Sequence, residues 1–321
     1  MSDESRPAGA AELLAHARER YAGRAFDEAE RAFRAAVGQA RRQGQNALRI
    51  HAQCELASVW RTCGGYRRAG LLFALTLPAA ERVFGPESVE VAKVCNEWGV
   101  LGKYTGRFQQ AEALYGRALT ILEAARGGEH EDVATVCHNL GGLAHARGDH
   151  ETGEPWARRA AEIRARLLGE RHPRVAADLA AWAALVEGRG RPDEAEALLR
   201  RALAVFEAAY GPEHHDVAAV LHNLAALRHR RGDLDEALAH YLRALAVKDA
   251  VLGPGHPESA ITLINLGALY RARHQPGEAH ACYGRAVELL RRAAPDHPHL
   301  AAARRGRAAA CASLAPPENK K

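Results

Sequence analysis

A glycine returns every 42 residues, at Gly85, Gly127, Gly169, Gly211 and Gly253. A small residue keeps the same step at Ala69, Ala111, Gly153, Ala195, Ala237 and Ala279. Between them runs a recurring string: His130-Glu131-Asp132-Val133-Ala134, His172-Pro173-Arg174-Val175-Ala176, His214-His215-Asp216-Val217-Ala218 and His256-Pro257-Glu258-Ser259-Ala260. A fixed step of this size marks stacked supersecondary units, none of which can bury its apolar face alone. The 321 residues therefore describe one array, with no separate second domain.

Each repeat reads as two helices. The first follows the His-Pro-like turn and carries apolar residues at helical spacing, as in Val217, Val220, Leu221, Leu224 and Leu227. It stops at Gly64-Gly65-Tyr66, Gly106-Arg107-Phe108, Gly148-Asp149-His150 or Gly232-Asp233-Leu234, because glycine accepts the left-handed conformation that closes a helix. The second helix opens with acids that complement its positive end, as at Asp235 and Glu236, and finishes before Gly253-Pro254. No β-type alternation occurs. The pattern predicts an all-α fold with pairs at about 8–46, 47–88, 89–130, 131–172, 173–214, 215–256 and 257–297. A last helix, 299–314, contains Arg304, Arg305 and Arg307 and suits the polar cap that an array needs. Residues 1–7 read as a flexible N-terminus and 315–321 as a disordered tail.

Composition closes off several function classes. With 47% hydrophobic residues the chain is not generally disordered, and no uncharged run approaches the ~20 residues of a membrane span. The N-terminus has no apolar h-region, so no secretory signal is expected. Six cysteines include no C-x-x-C pair or zinc-finger spacing, and Cys95 and Cys137 are 42 residues apart, as buried repeat positions would be. Reduced thiols and a cytoplasmic location follow. Five basic residues are Lys and the other 39 are Arg, a bias that suggests a GC-rich bacterial genome.

Chemistry-bearing motifs are missing. The chain has no G-x-S-x-G elbow, H-E-x-x-H, P-loop or G-x-G-x-x-G, so no enzyme and no cofactor is expected. His138 and His145, like His222 and His229, are seven apart rather than the four of a chelating helical pair. The loop histidines His130, His172, His214, His256 and His297 occur one per repeat and read as turn and cap residues. No metal is expected.

The string Gly106-Arg107-Phe108-Gln109-Gln110-Ala111, followed by Tyr115 and Ala118-Leu119, resembles the tetratricopeptide repeat (TPR). Gly232, Ala237, Tyr241 and Ala244-Leu245 repeat the pattern. The usual TPR period is about 34; the step of 42, the Leu252 to Pro257 connection and the strings His138-Asn139-Leu140 and His222-Asn223-Leu224 look like the kinesin-light-chain subtype. The resemblance covers almost the whole chain. It implies a right-handed superhelical solenoid of about seven antiparallel helix pairs plus a C-terminal capping helix. It also implies a non-catalytic scaffold, adaptor or regulatory subunit that binds a protein or peptide on the concave face of its first helices.

Carried through the 42-residue register, that face holds His51, Arg61, Lys93, Asn96, Lys103, Tyr104, His138, His145, His222, His229, Arg230 and Arg271. Five Lys or Arg stand on it against one acid, Glu187, a stronger bias than the whole-chain charge of +5. An acidic segment or a free C-terminal carboxylate is the expected ligand. Asn139, Asn223 and Asn265 form a second series, with Glu55, Glu97 and Ala181 in its other places. Asn competes for backbone hydrogen bonds within a helix, so its return implies either a bond to the adjacent repeat or a grip on a ligand backbone. Two other readings stay open: a peptide- or ligand-responsive sensor controlling a separate effector, and nucleic-acid binding. The 39 acids interleaved with the bases, and Tyr104 as the lone wall aromatic, weigh against nucleic acid. Self-association is left open.

Overall fold

The computed structural model describes residues 9–293 and 299–314; the expected flexible segments 1–7 and 315–321, and His297, lie outside the described residues. Among the described residues are fifteen α-helices and no strand. They are α1 (Ala10–Ala22), α2 (Phe26–Arg42), α3 (Asn46–Thr62), α4 (Tyr66–Phe84), α5 (Val89–Tyr104), α6 (Phe108–Arg126), α7 (Glu131–Arg147) and α8 (His150–Leu168). After them come α9 (Pro173–Gly188), α10 (Pro192–Tyr210), α11 (His215–Arg231), α12 (Leu234–Leu252), α13 (Ser259–Ala272), α14 (Pro276–Ala293) and α15 (His299–Ala312). Successive helices pack as pairs, and α15 closes the series on α13 and α14. The chain is an all-α solenoid of helix pairs. It divides into two compact units, Met1–Leu167 and Leu168–Lys321.

Small residues set how closely the helices of a pair approach. Ala69, Ala111, Ala195, Ala237 and Ala279 are fully buried. A Cβ added to Gly102 of α5 would sit 3.0 Å from that of Ala111 on α6, and one on Gly141 of α7 would sit 3.1 Å from that of Ala157 on α8. Such approach leaves room for only a few large rings. Phe33, Phe73, Tyr115 and Tyr241 are the bulkiest of them, each shielded from solvent, and each withdraws on the order of 150–250 Å² from water.

The turns follow the same register. Gly64, Gly106, Gly148, Gly190 and Gly232 join the two helices of a pair at φ between +71° and +86°. The equivalent place in the last pair holds His274 at φ +58°, and Arg24 turns the first pair at φ +60°. At the other connection the loop imidazoles cap α7, α9 and α11, and His256 makes the same bond in the turn before α13. Nδ1 of His130, His172, His214 and His256 accepts the backbone N–H two residues on, at 3.1, 3.2, 3.2 and 3.3 Å. Ser88 occupies the same register and caps α5 through its hydroxyl.

Ion pairs tie second helices to one another within each unit. In the first unit Arg117 meets Glu81 and Arg159 meets Glu123, both at 2.6 Å. In the second, Arg243 meets Glu207 at 2.5 Å and Arg285 meets Asp249 at 2.6 Å. Arg and acid each recur in steps of 42. These pairs are about one-third exposed, so each contributes on the order of 0.2–1 kcal/mol.

Candidate functional site

In the first unit the first helices are neighbours, α1 against α3, α3 against α5 and α5 against α7. Together they line a cavity of about 610 Å³. Its wall includes four of the residues carried over by register: His51, Arg61, Lys93 and Asn96. The ring of His51 stacks on Phe84 at 5.7 Å, and Lys93 is exposed. Asn96 accepts from Asn139 Nδ2 at 2.8 Å and donates to Glu97 at 3.3 Å. Asn139 is thus bonded to the adjacent repeat.

Sorting by register overstated the positive charge of this wall. Glu97 accepts from Ser58 at 2.8 Å and from Arg61 at 3.3 Å, while Arg18 grips Glu55 through Nε and Nη2. Glu90 and Asp132 also line the cavity. The cavity therefore mixes Arg18, Arg61 and Lys93 with four carboxylates. The omitted acids were visible in the sequence, because Glu55 and Glu97 stand in the places that Asn139 and Asn265 fill elsewhere. What the register alone could not show is that a helix face two residues wide meets its neighbour's side chains.

Toward the C-terminal end of α5 the balance changes. Tyr104 is 59% exposed, and Arg61 and Lys103 lie 5.9 and 5.7 Å from its ring centre, within cation–π range. Burial, then the nearby Arg61, pushes the Lys103 ammonium below its ordinary range. On α7, His138 is half-buried, and exposed His145 packs against His150 with ring centres 5.4 Å apart.

In the second unit His222, Asn265 and the unforeseen Thr262 form one part-buried network. Asn265 Nδ2 donates to His222 Nε2 at 3.2 Å, so Nε2 carries no proton. Nδ1–H then donates to Thr262 Oγ1 at 3.1 Å, and the ring is neutral. Burial, reinforced by Lys248 and Arg230, lowers the His222 pKa to about 4. Buried Lys248 donates to the same hydroxyl at 3.2 Å and lies 3.9 Å from Glu258. Beside His222, burial raises the pKa of Tyr241 to about 12. A sequence signal for this network existed: Lys248 stands where the 42-residue step puts Leu122, Arg164 and Phe206, and Thr262 where it puts Val94, Val136, Asp178 and Val220, so each series is apolar in most repeats. A polar residue in an apolar register needs partners.

The remaining wall residues of this unit do not join that network. His229 meets the Tyr241 ring edge-on at 6.5 Å. Arg230 is exposed and bonded through Nε to Glu187 at 2.8 Å, while Asn223 is exposed without a side-chain bond. Arg271 lines a separate hollow of about 500 Å³ with His274 and Ser313. Among the described residues no group of His, Cys, Asp and Glu could hold a metal ion, and no helix is long and apolar enough to cross a membrane.

Successive helix pairs with their first helices lining a cavity define an α-solenoid repeat protein. The tetratricopeptide repeat family model matches residues 96–152, 132–208, 176–250 and 216–292, which together span more than half the chain. The chain belongs to the tetratricopeptide repeat family. Among solved structures it is similar to BtubC (BKLC) from P. vanneervenii, at 25% identity and a TM-score of 0.57, over 78% of this chain and 94% of that one. It is also similar to a Podosopora anserina protein of nearly identical kinesin light chain TPR-like repeats, at 22% identity and a TM-score of 0.53, over 65% of this chain and 99% of that one. A tetratricopeptide repeat protein from Parabacteroides merdae ATCC 43184 shares the fold at 15% identity and a TM-score of 0.58, over 94% and 98% of the two chains. None of the curated proteins matches the sequence. Tetratricopeptide repeat proteins generally mediate protein–protein interactions, and the family is not a catalytic one.

Proposed function

We propose that this protein is a non-enzymatic, cytoplasmic scaffold or adaptor that holds an extended segment of a partner protein against the first helices of its first unit. The observation that carries this reading is the cavity of about 610 Å³ shared by α1, α3, α5 and α7. A space walled by four successive repeats suits a linear ligand. Side chains of both signs and the half-buried amide of Asn96 offer donors and acceptors to a peptide backbone. The segment brings acidic side chains to the wall's unpaired cations, Lys93 and Lys103, with long-range attraction assisting approach.

Panning the full chain against a displayed library of random peptides tests this. The expected outcome is enrichment of acidic sequences, whose binding weakens as salt rises and drops about tenfold or more in Lys103→Glu. Equal capture of neutral and acidic peptides with no salt dependence, or capture of none, overturns it.

A further inference from the structure

One second helix, α4, breaks the surface pattern of the others. The 42-residue step sets an arginine at Arg117, Arg159, Arg201, Arg243 and Arg285, and in α4 that place holds Leu75. Where the other second helices have Ala113, Pro155, Ala197, Ala239 and Ala281, α4 has Leu71. At 70% and 63% exposure, Leu75 and Leu71 are the most exposed large apolar side chains among the described residues. They stand one turn apart on one face of α4, and exposed Pro78 continues the stripe. A lone exposed leucine means little, but a contiguous apolar stripe in a polar register marks a surface that something covers.

Charge is reversed at the same place. Arg67 occupies the register of Glu151, Asp193 and Asp235, and Arg68 that of Glu194, Glu236 and Glu278. Two arginines in the first turn oppose the positive end of the helix dipole, so they do not serve α4 itself. Glu81, the one acid of α4, is held by Arg117 at 2.6 Å, so no carboxylate of the helix answers Arg67, Arg68 or, near its other end, Arg82. All three are exposed.

A hollow opens beside the stripe. In other repeats an acid ties the second helix to the end of the next first helix: Glu112 meets Arg147 at 2.8 Å, and Glu196 meets Arg231 at 3.5 Å. In α4 and α5 those two places hold Gly70 and Thr105, which cannot form an ion pair. What remains is a space of about 460 Å³ against Trp98 and Leu101, edged by Tyr66, Leu71 and Thr105.

These features select the occupant. A second copy of the chain fits poorly, because α4 packed antiparallel on itself about Leu75, its midpoint, sets Arg68 beside Arg82. A bilayer surface has no knob to fill a hollow. A helix from another protein satisfies both conditions. Its apolar side chains run along Leu71, Leu75 and Pro78, a stretch of about 10 Å, with one seated in the hollow, and its acids meet the arginines at either end.

We infer that the exposed face of α4 docks a short amphipathic helix of a partner protein, apolar at its centre and acidic at both ends. This surface is separate from the wall of first helices and does not depend on it.

The test uses the full chain labelled with 5-fluorotryptophan at its four tryptophans, of which Trp98→Phe assigns the one lining the hollow. The probe is a displayed library of short helices randomised on one face. Enriched helices should carry large apolar residues at i, i+3 or i+4 and i+7, with Asp or Glu toward both ends. Made as peptides, they should bind with a Kd of roughly 1–100 μM and move the Trp98 signal. Leu71→Ala with Leu75→Arg gives α4 the residues its register carries elsewhere, so the fold should be kept, as circular dichroism checks. That variant should weaken binding about tenfold or more. Arg67→Glu with Arg68→Glu should weaken it several-fold, and Lys103→Glu should leave it unchanged. Enrichment of helices without acids, binding indifferent to the leucine substitutions, or no enrichment overturns the inference. Sedimentation that shows a dimer lost in the leucine variant gives the face to a second copy, and loss of binding to phosphatidylserine vesicles in that variant gives it to a membrane; either result also overturns it.

Discussion

In the first unit Asn139 donates to Asn96, 43 residues earlier; in the second Asn265 donates to His222 at the same separation. From this shared bond the two regions diverge. His222 bonds Thr262 through its other nitrogen, and Lys248 reaches the same hydroxyl from α12. Polar atoms there answer one another. The first unit leaves Tyr115 and Arg61 Nε unanswered beside a cavity and an unpaired Lys103. Identical register thus yields a sealed network in one place and a receptive surface in the other, and the choice rests on the few side chains that differ.

The largest effect should come from filling the space beneath the ring in each unit. Gly99→Ala puts a Cβ 2.6 Å from Tyr115, whereas Gly267→Ala meets Tyr283 at 3.0 Å. We expect Gly99→Ala to destabilise α5 and α6 by about 2–3 kcal/mol, and Gly267→Ala to cost α13 and α14 about 1 kcal/mol or less, because alanine is the better helix former. Hydrogen exchange resolved helix by helix measures both. Equal costs would mean that the two ring sites are equally tight.

Acid should distinguish the units next. His222 is held near a pKa of about 4 when folded against an ordinary 6.5. Its depressed value means that the unfolded chain takes up the proton first as pH falls. Stability is therefore complete above about pH 6.5 and declines toward pH 4, at up to about 1.4 kcal/mol per unit. Allowing for partial exposure, we expect about 2 kcal/mol in all for the second unit. In the first unit that register holds Cys54, Asn96 and His138, and Asn96, which takes the corresponding bond from Asn139, does not titrate. His222→Gln should flatten the pH profile of exchange in α11 to α13, and an unchanged profile would remove His222 as its origin.

The smallest difference concerns the amides. Asn265→Ala strands the part-buried His222 Nε2, so about 2 kcal/mol is expected. Asn139→Ala removes one bond to a partly exposed partner and should cost about 1 kcal/mol. Chemical denaturation followed by the same exchange probe compares them. A reversed order would break the comparison drawn above.

Periodicity made the architecture legible, because a 42-residue step with glycines at both connections leaves little else to build. Helix ends were readable for the same reason, down to the loop imidazoles acting as caps. The wall was legible as a set of positions but not as a charge. Arg61 and Arg230 looked like free cations until the neighbouring helices supplied Glu97 and Glu187. Such partners are set by side chains meeting across repeats, at separations of 36 and 43 residues, where one helix's pattern carries no record of the next. Tyr115 shows the limit best: its sequence context matches that of Tyr241, and its unpartnered hydroxyl emerges only once the surrounding helices are in place.

The Arg-to-acid bonds between second helices give some repeats a direction. Those containing α6 and α12 each offer a guanidinium to the repeat before and a carboxylate to the one after, so they couple to their neighbours like plug and socket. A repeat spliced in whole, 42 residues at a time, finds both halves waiting within either unit. One reversed, or cut to another length, would set like charge against like. The array can therefore lengthen by duplication without rewriting its surface, and partner-binding surface can be added one helix at a time.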